Sequence, residues 1–296
     1  GAERATIRLA NYAARQGVDT HVVVLTGTGA LRGEVDSRVS LHDVRVRRIR
    51  GAALPLRRLL TRLRPDAVMA TLPQVNALTV MVARSMTRRP RVTVREANDP
   101  RYEAPYSRRF GSLFRHFLAW TYRRADAVIA VSEGVREGVI STYGVRPDRV
   151  IAIANASLDD EIGNRALEHL GDGWYSGLER RVVCVARFSE QKDHATLLEA
   201  FRRLNRGPEV GLVLVGGGPL EAALRSRIDE LGLNDRVKMV TGETNPFRWL
   251  RSAHALVLSS RWEGSPNVLV EAMALGVPVV ATDCPSGPRE ILAAGR

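Results

Sequence analysis

Two glutamates, Glu263 and Glu271, bracket the run Glu263-Gly264-Ser265-Pro266-Asn267-Val268-Leu269-Val270-Glu271. Ser265 is a competent N-cap and Pro266 suits the first helical position, so the run predicts a helix opening there with free amides and a positive dipole end. Such an end takes an anion. Glu271 falls about a turn and a half into that helix, in reach of a ligand diol, while Glu263 lies in the loop before it. Two acids flanking an anion-binding helix start suit a ligand that is both phosphorylated and polyhydroxylated. A second cluster, Arg187-Phe188-Ser189-Glu190-Gln191-Lys192, directly follows the apolar run Val182–Ala186 and offers two cations to a diphosphate. A third, Gly216-Gly217-Gly218-Pro219, follows the run Gly211–Val215, where absent side chains let backbone approach closely. Its spacing is not the Gly-x-Gly-x-x-Gly of a dinucleotide site.

The elements that must position these residues read as alternating strands and helices. Short apolar, β-branched runs at His21–Thr26, Val44–Ile49, Asp66–Ala70, Val92–Arg95, Ala127–Val131 and Val150–Ile153 have the character of strands buried on both faces. The second half repeats the pattern at Val182–Ala186, Gly211–Val215, Val237–Val240, Ala255–Ser259 and Val277–Ala281. Between them, Leu197, Leu198, Phe201 and Leu204 share one face of a helix from about Asp193 to Gly207. Leu220, Leu224, Ile228 and Leu231 share one of a helix from Pro219 to Gly232. Alternation of this kind requires parallel sheets with right-handed crossovers, so both halves are expected to be Rossmann-like. Residues 1–155 form one expected domain, 156–178 a Gly-, Asp- and Asn-rich linker, and 179–296 the second. The chain opens on a helix without a preceding strand and stops just after a helical pattern, so a strand is expected before it and a βα unit after it.

Together, Glu263 and Glu271, Arg187 with Lys192, Gly216–Pro219, the run Glu271-Ala272-Met273-Ala274-Leu275-Gly276-Val277-Pro278 and the opening Gly1-Ala2-Glu3-Arg4 resemble the family 4 glycosyltransferases. The resemblance covers nearly the whole chain. It implies the α/β GT-B fold, two Rossmann-like domains facing each other across a cleft, and sugar transfer from a nucleotide donor with retention and without a bound metal. It implies that Arg187 and Lys192 hold the donor diphosphate and stabilise the leaving phosphate, and that Glu271 binds the ribose hydroxyls. Glu263, with the backbone of Gly264, Ser265, Pro266, Asn267 and Val268, would contact the transferred sugar and its phosphate. Gly216 and Gly218 would line the nucleotide site, and Gly1 would be the last glycine of the N-terminal loop. The tail Asp283-Cys284-Pro285-Ser286-Gly287-Pro288-Arg289-Glu290 is similar to members that use UDP-sugars to build surface polysaccharides and lipid-linked oligosaccharides. Many relatives carry a His in the N-terminal domain after its fourth or fifth strand. The matching stretch here, Arg95-Glu96-Ala97-Asn98-Asp99-Pro100, has Glu96 or Asn98 in its stead.

Composition narrows the remaining classes. At 296 residues, 45% hydrophobic and 26% charged, the chain has ample material for folded domains and is not a disordered polymer. Two distant cysteines, Cys184 and Cys284, argue against a disulfide framework or a zinc site and fit a reducing, cytoplasmic compartment. Residues 1–155 hold 27 Arg and no Lys against 13 acids, a net +14, whereas residues 156–296 hold 17 cations against 19 acids, a net −2. The excess implies that the first half faces a polyanion or an anionic surface, such as a membrane to which the chain attaches peripherally. An aromatic content of 5% and the lack of interleaved aromatics set aside a nucleic-acid partner. A nucleotide-sugar epimerase would share the diphosphate site, but no acid pair can be assigned to both faces of a sugar ring.

Overall fold

The computed structural model describes residues 2–25, 30–46, 48–102, 111–158, 161–204 and 209–293. The chain separates into two compact units, Gly1–Ala156 and Ser157–Arg296.

The first unit begins with helix α1 (Ala2–Arg15) and a parallel strand pair, β1 (His21–Val24) and β2 (Ser40–Asp43). Helix α2 (Ala53–Leu63) leads to β3 (Ala67–Thr71), α3 (Pro73–Arg84), β4 (Arg91–Glu96), α4 (Gly111–Tyr122), β5 (Ala127–Ala130), α5 (Glu133–Tyr143) and β6 (Val150–Ala152). Strands β3 to β6 form one parallel sheet in sequence order. Val92 and Val94 of β4 and Val128 of β5 are almost fully buried against Val80 of α3, Leu118 and Tyr122 of α4, and Val135 and Val139 of α5. Continuous apolar strands work here because helices supply the apolar cover.

Strand β2 starts four residues ahead of the expected Val44–Ile49 run. Asp43 Oδ1 accepts from the Arg45 amide at 2.8 Å, and Arg45 takes φ 53, which ends the strand where the apolar alternation begins. The valines still hydrogen-bond, Val44 to Val24 and Val46 to Leu25, as the continuation of a turn.

The second unit opens on two short helices, α6 (Ile162–Ala166) and α7 (Gly173–Ser176), followed by β7 (Arg180–Val185), α8 (His194–Arg203), β8 (Val210–Val215), α9 (Glu221–Glu230), β9 (Val237–Val240), α10 (Phe247–Arg251), β10 (Ala255–Leu258), α11 (Asn267–Ala274), β11 (Val279–Ala281) and α12 (Pro288–Ile291). All five strands are parallel, in the order β11-β10-β7-β8-β9. The chain runs outward from β7 to β9 and then returns to the other side of β7, so the order reverses between β7 and β10. Open α/β sheets bind ligands at such a switch, outside the carboxyl ends of the strands.

The stretch expected to be a linker is part of this unit. Ala166, Tyr175 and Leu178 lie in its core, and Tyr175 donates its hydroxyl to the Trp249 carbonyl at 3.0 Å. Its few apolar residues are too sparse to show a period, yet large enough to bury. Asp172 caps α7 through the Tyr175 amide and pairs with Lys238.

Candidate active site

Three loops meet at the carboxyl edge of the second sheet. The loop after β7 carries Arg187 and Lys192, the loop after β8 carries Gly216–Gly218, and the loop after β10 runs from Ser259 to Pro266.

The first and third of these are joined directly. Ser259 Oγ donates to the carbonyls of Lys192 (2.9 Å) and Asp193 (3.0 Å), the Arg261 amide donates to Gln191, and Gln191 Nε2 donates to the Trp262 carbonyl. Lys192 Nζ forms an ion pair with Glu263 Oε1, and Ser260 Oγ donates to the same oxygen at 2.6 Å. The two side chains are 17% and 5% exposed, so this is a buried ion pair whose members order one another. Glu263 Oε2 makes no hydrogen bond among the described residues. Arg187 is exposed, with no ion pair to a described side chain.

Asp193 sits at φ 43 and ψ 50 and caps α8 through Thr196 while pairing with Arg261 at 2.9 Å. Burial pushes its carboxyl up, but the bonds from Arg261 and Thr196 outweigh burial and hold it below the ordinary range. His194, the next residue, is 2% exposed, and neither ring nitrogen has a partner among the described residues. Its ring stands edge-on to Phe188 at 5.1 Å. Burial, assisted by the Lys192 charge, lowers its pKa to about 4, so it is neutral at pH 7. Cys184 and Cys284 lie close enough to sense the Lys192–Glu263 pair, but burial raises their pKa values to about 12 and about 11. Both thiols stay protonated, which sets them aside as nucleophiles.

The glycine loop serves these cations from behind. A Cβ on Gly216 would lie 2.0 Å from the Ala186 oxygen, and one on Gly218, at φ 155, would lie 2.5 Å from the Phe188 oxygen. The backbone that approaches these glycines is therefore the loop bearing Arg187. Phe188 bonds on both sides of the contact, its amide to Gly217 and its carbonyl to the Leu220 amide. Leu220 is the N-cap of α9, which starts two residues later than Pro219 suggests.

Helix α11 also starts one residue late. Pro266, in an extended conformation at φ −73 and ψ 102, is the N-cap in place of Ser265, and its side chain makes no cap hydrogen bond. A proline side chain has no acceptor to offer the first amides of a helix. Glu271 is the fifth residue of α11 and is 8% exposed. Ser157 Oγ lies 3.1 Å from Asn267 Oδ1, tying the first residue of the second unit to this helix start.

Sequence reading missed what supports the Glu263–Pro266 loop. Ser286 Oγ donates to the Glu263 carbonyl at 2.6 Å, and Gly287, at φ 88, packs so closely that a Cβ would lie 2.8 Å from Pro266 and 2.9 Å from the Gly264 oxygen. The only trace of this in sequence is the Ser-Gly pair in the tail segment. Gly1 and the Asp159–Asp160 pair lie outside the described residues. No group of three or more metal-ligating side chains converges among the described residues.

Comparison with known proteins gives two family matches, residues 1–156 to Glycosyltransferase Family 4 and residues 177–296 to Glycosyl transferases group 1. The uncharacterized glycosyltransferase MJ1059 of Methanocaldococcus jannaschii is 30% identical over 64% of this chain and 47% of its own length. The N-acetylgalactosamine-N,N'-diacetylbacillosaminyl-diphospho-undecaprenol 4-alpha-N-acetylgalactosaminyltransferase of Campylobacter jejuni is 30% identical over 81% of this chain and 63% of its own length. The chain thus spans less than two-thirds of these curated relatives. The Anabaena protein HepE, solved in complex with UDP-glucose, superposes with a TM-score of 0.79 at 20% identity, covering 97% of this chain and 79% of that one. That likeness establishes the fold as GT-B.

Proposed function

This chain belongs to glycosyltransferase family 4, and we propose that it is a retaining hexosyltransferase acting from a UDP-sugar to a polysaccharide or lipid-linked oligosaccharide acceptor. The observation that carries this reading is the meeting of Arg187, the Lys192–Glu263 pair and the start of α11 at the switch between β7 and β10. HepE bound to UDP and the diphospho-undecaprenol in the name of the Campylobacter relative support the donor and acceptor classes.

In this reading the donor diphosphate takes Arg187, Lys192 and the opening amides of α11, with Gly216 and Gly218 shaping the loop behind them. Charge grows on the diphosphate as the bond to the sugar breaks, so fixed cations there lower the barrier more than they tighten the ground state. Glu263 Oε2 accepts from a sugar hydroxyl while Oε1 keeps Lys192 in place. Glu271 accepts from the ribose diol. In this reading these groups fill the role a divalent cation has elsewhere, so transfer is expected to proceed in EDTA.

The acceptor side falls to the basic N-terminal unit. Helix α4 exposes Leu113 (67%), Phe117 (36%) and Trp120 (41%), with Phe117 stacked on Trp120 and Arg124 over the Trp120 ring at 4.0 Å. Arg115 on this helix and Arg123 just after its end are exposed. Arg108, Arg109 and Phe110 lie outside the described residues. An apolar face flanked by arginines suits an anionic headgroup surface, and no helix among the described residues is long and apolar enough to cross a membrane.

The test is transfer. The full chain is incubated with UDP-hexoses and a prenyl-diphosphate oligosaccharide, and product anomers are read by NMR. UDP release with an α product from an α donor is expected, and failure to bind UDP overturns the reading. Flotation with anionic vesicles at low salt, lost at high salt or on Trp120→Glu, is expected; equal recovery with neutral vesicles removes the membrane role.

A further inference from the structure

A second charged site lies wholly within the first unit. Strand β4 ends in Arg95 and Glu96, whose side chains leave opposite faces of the sheet. Glu96, 2% exposed, accepts from the Tyr122 hydroxyl at 2.5 Å, and that hydroxyl accepts from Asn76 Nδ2 at 2.8 Å. The carboxylate is thereby engaged on the side of α3 and α4.

Arg95 is 7% exposed and is served differently. One terminal nitrogen donates to Thr71 Oγ1 at 3.1 Å, and the other donates to Asn155 Oδ1. Both acceptors are neutral. No carboxylate forms an ion pair with Arg95 among the described residues, and its Nε–H and the second hydrogen of each terminal nitrogen have no acceptor there. Glu96 favours the charge of this guanidinium, yet burial prevails and its pKa lies below the ordinary value. A buried cation held only by a hydroxyl and an amide calls for an anion.

The surroundings suit one. Thr71 ends β3, and Leu72, 40% exposed and at φ 80, is the N-cap of the twelve-residue helix α3. No side chain caps that helix, so the amides of Gln74 and Val75 open it beside Thr71. Asn155 follows β6 at the same carboxyl edge of the sheet and is half-buried.

We propose that Arg95, Thr71, Asn155 and the first turn of α3 form an anion site on the N-terminal unit, and that its ligand is a phosphate group of the acceptor. The anion site stands on the geometry of this unit alone. Its assignment to the acceptor rests on the glycosyltransferase reading.

The experiment is a titration of the full chain with inorganic phosphate while UDP saturates the donor site, followed by melting temperature and calorimetry. Phosphate should raise the melting temperature by mass action. Arg95→Gln should weaken phosphate binding at least tenfold, and Arg95→Lys should retain part of it. Asn155→Asp places a carboxylate against Arg95, filling the site from within, so it should raise the melting temperature without phosphate and abolish the phosphate response. This variant keeps the test valid if Arg95→Gln fails to fold. A wild-type chain that shows no phosphate response, or a response that survives in Asn155→Asp, overturns the site. Farnesyl diphosphate in detergent separates the sources: it should displace phosphate without displacing UDP. If UDP itself displaces phosphate, the anion belongs to the donor and the acceptor assignment falls, while the family reading stands.

Discussion

Three consecutive glycines after β8 should respond to alanine in different ways. At Gly216 the new Cβ would meet the Ala186 oxygen at 2.0 Å, the Ala186 carbonyl carbon at 3.0 Å and the Phe188 ring at 3.3 Å. Carbon–oxygen contacts settle near about 3.3 Å, so the two loops must part by about 1 Å. Ala186 is bonded to Val215 through its amide, which leaves little room to yield inside the β7–β8 pairing. Overpacking of this kind costs about 1–3 kcal/mol, equivalent to a fall of about 2–12 °C in melting temperature. The displaced residue is also the neighbour of Arg187, and a 1 Å misplacement of a reacting group can lower a rate by about 10²-fold. At Gly217 nothing lies within 4 Å of a Cβ, and no left-handed φ is required. Gly217→Ala should therefore be neutral or stabilise by about 0.4–1 kcal/mol through the unfolded chain. Thermal melts with and without UDP, together with transfer rates, measure both variants side by side. Gly216→Ala with unchanged melting and unchanged turnover, or Gly217→Ala as harmful as its neighbour, would refute the loop-packing argument.

The other predictions concern charge. Lys192→Met leaves Glu263 as a buried, uncompensated carboxylate and should cost about 3 kcal/mol in urea denaturation, much of it recovered in the Lys192→Met/Glu263→Gln double variant. If the single and double variants are equally destabilised, the pair does not stabilise as assigned. His194 should make the second unit acid-sensitive, because unfolded chains bind a proton near pH 6.5 that the folded state refuses until about pH 4. Stability should decline as pH falls through that window, by about 3 kcal/mol in total, and His194→Phe should flatten the slope. Glu271→Ala should weaken UDP binding by about 2–4 kcal/mol, and calorimetry should then find UDP and deoxy-UDP equivalent. A persistent preference for UDP would remove Glu271 from the ribose.

Much of this protein is legible in one dimension because its decisive features are local. The strands of the two larger sheets announce themselves as short apolar runs, since helices covering both faces leave no polar side to alternate, whereas β2 (Ser40–Asp43) lies ahead of its expected run. The positions of the candidate site residues are legible too: Arg187 and Lys192 lie in the loop after β7, and Glu263 in the loop between β10 and α11, where open α/β sheets expose their loops. Composition alone shows the charge asymmetry between the halves.

Tertiary structure decided what depends on partners distant in sequence. The segment 156–178 reads as a linker because its apolar residues are sparse, yet Tyr175 finds Trp249 and becomes core. Lys192 and Glu263 are separated by 71 positions, and only the adjacency of β7 and β10 turns two solvated charges into one buried pair. Gly216 and Gly218 look like ligand-binding glycines, but what crowds them is the backbone of Ala186 and Phe188. Arg95 reads as one arginine among many until the sheet buries it between Thr71 and Asn155, with no carboxylate ion pair among the described residues. Residue type and spacing determine which backbone conformations and chemistries are available, because those energies act over a few neighbouring residues. Which charges meet, which stay exposed and which lose their water are set by burial, a property of the folded unit that no local stretch of chain contains.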